Sequence, residues 1–164
     1  MQANHGLRSQ LVIAGVPVGR EMADAAPVPD RKAPEERGSI LILVATDAPL
    51  MPHQLKRLAK RASLGLARTG AIAGNGSGDL FLAFSTANPG TAKPASGLAE
   101  VQMLPNDRHN PLFTATIQAS EEAILNSLLA AETMTGADGH TVAALPHERL
   151  REVLRKYNRL EDQA

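Results

Sequence analysis

Cysteine and tryptophan are missing from this 164-residue chain, and only Phe81, Phe84, Phe113 and Tyr157 are aromatic. Without cysteine there are no disulfides, no thiolate nucleophile and no cysteine-ligated zinc or iron-sulfur centre, although the absence leaves the compartment open. So few rings leave little for bases to stack on. Net charge is missing too: seventeen basic residues balance seventeen acidic ones, so no overall field draws in nucleic acid or an anionic membrane, and neither is expected as a partner. No apolar run approaches the roughly 20 residues needed to span a bilayer. Met1 to Arg8 is polar rather than signal-like, and a cytoplasmic location is the expectation. The five histidines, His5, His53, His109, His140 and His147, lack metal spacing such as HExxH, and no cofactor is implied.

What is present is aliphatic. The apolar fraction of 43% comes mostly from Ala, Leu, Ile and Val, and the length suits one α/β domain able to bury about 70% of its unfolded surface. The chain is organised around Gly38 to Thr46, where a charged, proline-bearing segment stops and an apolar run opens with a serine. Ile40 to Val44, rich in β-branched residues and without polar alternation, predicts a strand covered on both faces. Ser39 thus stands where a rigid sheet meets a flexible approach, after a glycine that tolerates unusual backbone angles. Taken alone, the pair also fits an ordinary glycine turn.

On either side of that run the other elements can be predicted. Gln10 to Val18 reads as a short strand closed by Pro17, and Gly19 to Arg37, with three prolines and many charges, reads as an exposed, mobile connector. Pro49 and Pro52 open a helix running to about Thr69, with Leu55, Leu58, Ala59, Ala62 and Leu66 on one face and a solvated basic face of Lys56, Arg57, Lys60 and Arg61. Gly70 closes it. Gly74-Asn75-Gly76-Ser77-Gly78-Asp79 follows, then the apolar run Leu80 to Phe84. The loop lacks the lysine of a phosphate loop and the spacing of a dinucleotide fingerprint. Its glycines fit either a tight hairpin or a close approach of Ser77 and Asp79 to a reacting centre. Residues 88–107 read as a long surface loop interrupted by a short strand around Leu98 to Met103, and Pro111 to Ile117 as a further strand. Ser120 then N-caps a helix with Ile124, Leu125, Leu128, Leu129 and Met134 as its buried stripe. A last helix follows Pro146, with Leu150, Val153, Leu154, Tyr157 and Leu160 on one face.

Several stretches together resemble one family. Asn4-His5-Gly6, Ile13 to Gly19, Gly38-Ser39-Ile40, Ala45 to Leu50, the glycine loop from Gly74 to Asp79, and Ala130 to Gly136 are similar to the L-aminopeptidase D-Ala-esterase/amidase family, which includes the β-aminopeptidases. The likeness covers nearly the whole chain but only the carboxy-terminal part of the family. It implies part of a four-layer α/β/β/α sandwich, often in larger oligomers, and a precursor that cuts itself at a Gly-Ser bond. Residues 1–38 would then end the α-chain-like part, with the exposed linker at 19–38, and residues 39–164 would form a β-chain-like domain.

Carried over by position, the resemblance makes Ser39 the nucleophile and new amino terminus, with Gly38 on the leaving side of the self-cleavage. Ser77 and Asp79 match the serine and acidic residue that assist the nucleophile, the acid being Glu in some members, and Asn4 matches an asparagine that helps hold the oxyanion. The residue types suit the chemistry, since serine needs a base or polar relay to take its proton and a fixed donor lowers the cost of the oxyanion. The expected substrates are short peptides and amino-acid amides or esters. The expected partners are further copies of the chain or the family's missing amino-terminal half. Two alternatives stand beside this aminopeptidase/amidase reading: an acetyltransferase of similar fold, which uses threonine where this chain has Ser39, and an inactive fold remnant serving as an association module.

Overall fold

A computed structural model describes residues 2–4, 6–25, 27–28, 38–93 and 95–160. Its main sheet has three strands, β1 (Gln2–Asn4), β2 (Ser39–Thr46) and β3 (Leu80–Ser85), in that order. β1 runs antiparallel to β2, and β3 runs parallel to it. Parallel neighbours need a long return connection. Here it is the 17-residue helix α2 (Pro52–Arg68), which starts with proline in its first turn and ends before Gly70, whose φ of +93° suits glycine alone. A second long helix, α3 (Asn110–Ala130), packs across α2.

One core lies between the sheet and these helices. Ile40 and Ile42 point from β2 into a cluster with Ala62 and Leu66 of α2 and Ile124 of α3. The helices meet closely because small residues face each other: a Cβ on Gly65 would stand 2.5 Å from the Ile117 carbonyl oxygen and 2.6 Å from Ser120 Cβ. A second core joins Ile13, Val16, Val18 and Met22 to Leu150, Val153 and Leu154 of the last helix, α4 (His147–Lys156). Glu21 ties the two segments at the surface, accepting from Lys156 Nζ at 2.7 Å and the Tyr157 hydroxyl at 2.6 Å.

The strand run is covered on one face, not two. Leu43, Leu80 and Leu82 are 54%, 65% and 53% exposed, and with Leu41 and Phe84 they form an apolar face opposite the helices. The absence of alternation in β2 hides this asymmetry, because both faces carry aliphatic side chains.

Other expectations are corrected. No strand forms over Gln10 to Val18: Ala14 and Gly15, with φ of +51° and +78°, turn the chain so that Ile13 and Val16 bond each other. The linker expected at 19–38 does not begin exposed. Val18–Glu21 forms a short helix, α1, with Val18 and Met22 buried against α4 and Gly19 buried against Arg8 and Leu11, because this apolar stretch has a partner far along the chain. Residues 26 and 29–37 of that linker, and His5, lie outside the described residues. No strand forms around Leu98 to Met103, where the chain is irregular and Leu98 is exposed. Instead, Asn88 clamps the loop, donating to the Gln102 carbonyl and accepting its N–H.

Pro111 to Ile117 is the first part of α3, and Ser120 is a buried residue midway along that helix rather than its cap. Thr116, Ser120 and Ile124 recur every four residues and bury one continuous stripe, which outweighs the β-branched character of the segment. Met134 is exposed on a small hairpin of β4 (Met134–Thr135) and β5 (Thr141–Val142). The basic face of α2 is partly a packing surface, since Arg61 and Arg57 lie 3.9 and 5.3 Å from the centre of the Phe113 ring. No helix among the described residues is long and apolar enough to cross a membrane.

Candidate active site

The parallel register brings two distant segments together. Leu41 pairs with Leu80, so residues 77–79, which precede β3, come alongside the start of β2. The glycine loop turns there through a 2.8 Å bond from the Ser77 N–H to the Gly74 carbonyl. Its arrival beside Ser39 is close: a Cβ on Gly78 would lie 3.1 Å from Ser39 Oγ. Glycine leaves that space open.

The cluster is held by three hydrogen bonds of the described residues. The Gly78 N–H donates to Ser39 Oγ at 3.1 Å. Asp79 Oδ1 accepts from the Ile40 N–H at 3.0 Å and from the Ser77 hydroxyl at 2.6 Å. On the other side of β2, the antiparallel register sets the Asn4 backbone directly opposite Ser39. Of the residues singled out in the sequence, Ser77 and Asp79 are joined directly and Ser39 is joined to them through main-chain groups, with Asn4 across the ladder and Gly38 preceding the strand. Histidine takes no part in these bonds.

Ser39 is exposed, while Ser77 and Asp79 are half-buried. Alternation along β2 sets Ser39 on the same face as Leu41 and Leu43, the apolar face that the helices leave open. With its oxygen engaged by an amide donor, the Ser39 hydroxyl keeps its proton available to an acceptor. The same amide is suited to a negative oxygen developing nearby. The Ser77 hydroxyl donates its hydrogen bond to Asp79 and keeps lone pairs to accept another. Two contributors were not identifiable from sequence, the Gly78 N–H and the Ile40 N–H. The alternating glycines signalled a close approach, but only the strand register selects which amide makes it. Among the described residues, no group of three or more His, Asp or Glu could hold a metal ion.

The chain is 47% identical to the beta-peptidyl aminopeptidase BapA of Sphingosinicella microcystinivorans, with 98% of this chain and 43% of that protein covered. It is similar in structure to the L-aminopeptidase D-Ala-esterase/amidase from Ochrobactrum anthropi, described as a prototype for the serine aminopeptidases and a new variant among the Ntn hydrolase fold. There the TM-score is 0.84 at 47% identity, covering 96% of this chain and 42% of that one. A Burkholderia sp. beta-aminopeptidase matches with TM-score 0.79 and 41% identity, over 94% of this chain and 42% of its own. The chain therefore spans less than half the length of these relatives. The family model for peptidase family S58 matches residues 1–142, and the chain belongs to that family.

Proposed function

We propose that this chain carries the nucleophile-bearing part of a self-processing serine aminopeptidase or amidase, acting on short peptides and on amino-acid amides or esters. The observation that supports it most is the hydrogen-bonded cluster in which Gly78 N–H meets Ser39 Oγ while Asp79 bridges Ser77 and Ile40. Ser39 Oγ first attacks the Gly38 carbonyl carbon. The Gly38–Ser39 C–N bond breaks, the nitrogen takes a proton to become the Ser39 amine, and water hydrolyses the resulting ester. Residues 1–38 then end one chain and residues 39–164 begin another.

In turnover, Ser39 Oγ attacks the substrate carbonyl and its proton passes to the leaving amine. Water then releases the acyl group. The free α-amine of Ser39 and the Ser77 hydroxyl are the proton carriers of that step. Gly78 N–H and Asn4 supply the oxyanion donors.

The open apolar sheet face gives the second part of the proposal. Leu41, Leu43, Leu80, Leu82 and Phe84 suit the inner face of a four-layer α/β/β/α sandwich whose other sheet comes from the portion that the relatives hold and this chain does not. The site then lies between two sheets, since Ser39 shares that face. Intact-mass spectrometry tests the processing step: the assembled protein should yield two fragments meeting at Gly38–Ser39, and Ser39→Ala should stay whole. A soluble, folded assembly that remains uncut would contradict self-activation.

A further inference from the structure

We propose that Asp79 is a positioning residue that anchors the nucleophile's strand end through the Ile40 amide, one residue beyond the bond to be cut. This rests on the reading of Ser39 as the nucleophile. β3 pairs with β2 only from Leu41 onward, so Ser39 and Ile40 overhang the parallel ladder. Ile40 is 1% exposed, and a buried main-chain N–H without an acceptor is costly. Asp79 Oδ1 supplies that acceptor at 3.0 Å, extending the ladder with a side-chain oxygen where β3 has none to offer. Bonds to a carboxylate are among the stronger ones.

The same oxygen accepts a hydrogen bond from the Ser77 hydroxyl at 2.6 Å, while Ser39 Oγ accepts from the Gly78 N–H instead. Asp79 therefore acts on Ser39 through its two neighbours, the Ile40 main chain and Ser77. Cutting Gly38–Ser39 removes the covalent hold on one side of the serine. The grip on Ile40 lies on the retained side and survives the cut. The β1 ladder, which pairs Ala3 with Ile40 and Asn4 with Ser39, holds the other edge. Between them, the new terminus stays in register instead of fraying.

Amide hydrogen exchange on the full chain, read by NMR, tests the anchor without any need for activity. Asp79→Ala should speed exchange at Ile40 by about tenfold or more and leave Ile42 little changed. Asp79→Asn, which keeps a carbonyl oxygen at the same place, should speed it less, and Ser77→Ala should leave it protected. Unchanged protection of Ile40 in Asp79→Ala overturns the proposal. In an assembly completed by a relative's amino-terminal region, Asp79→Ala should lower kcat with KM nearly constant, and Asp79→Asn should recover most of the loss. If Asn is as damaging as Ala, the charge matters rather than the grip, and the positioning role is wrong. Hydrolysis that persists in Ser39→Ala, or an inactive wild-type assembly, counts instead against the functional reading, and the exchange result decides the anchor by itself.

Discussion

A serine hydroxyl attacks an amide only when something receives its proton and something else receives the charge pushed onto the carbonyl oxygen. In the proposed reading both duties around Ser39 fall to adjacent residues of one glycine loop, the Gly78 amide and the Ser77 hydroxyl, the latter steadied by Asp79. If Ser77 carries the proton, Ser77→Ala in the assembled enzyme should lower amide turnover by about a hundredfold. Its melting temperature should scarcely move, because Ser77 lies in a half-buried loop and not in either core. A fall in activity only in proportion to lost stability would reduce Ser77 to a turn residue. At this scale the side chains were legible in sequence, because a serine opening an apolar strand and a serine and aspartate among alternating glycines are unusual placements. The main-chain donors were not, since which amide faces Ser39 depends on pairing Leu41 with Leu80 across 39 positions.

Among the elements, α2 was readable almost to its ends, since its prolines, its apolar face at 3- and 4-residue intervals and Gly70 all agree. α3 was not. Pro111, Thr114, Thr116 and Ile117 look like a strand in isolation, and no local pattern announces the packing that brings the Ile117 carbonyl and Ser120 of the same helix against Gly65. The start of the expected linker failed for the same reason: α1 is short, and it is ordered by α4 more than a hundred positions later. That docking also has a pH signature. Hydrogen bonds from Lys156 and then Tyr157 hold the Glu21 carboxyl below its ordinary value of 4.5. A lowered folded pKa stabilises above the unfolded value and is lost as pH falls through the folded one. The melting-temperature advantage of wild type over Glu21→Gln should therefore be steady near neutrality and shrink below about pH 4.5. Lys156 and Tyr157 are both shifted upward by Glu21, so the advantage should also fade at strongly alkaline pH. An advantage that does not change on acidification would remove Glu21 from the account of how α4 is held.

As a whole molecule, the chain is an α/β layer with helices on one side of its sheet and aliphatic side chains on the other. Exposed apolar surface of this kind marks an interface. The open face also holds the Ser39 side of β2, so in the proposed reading completing the fold and completing the site are one event. Misplacing a reacting group by about 1 Å can cost roughly a hundredfold in rate. The likeness to longer relatives was evident in sequence, but that the bare face and Ser39 coincide was not, because an unbroken aliphatic strand does not say which of its faces is covered. The most direct measurement is hydrolysis of an amino-acid amide by this polypeptide alone and after co-expression with the amino-terminal region of a longer relative. The account predicts little or no turnover alone, restored cleavage at Gly38–Ser39 and a marked gain in activity on co-expression, with Ser39→Ala abolishing the gain. A monodisperse product of this chain by itself that turns over substrate at about 10 per second, a rate ordinary for enzymes, would contradict it.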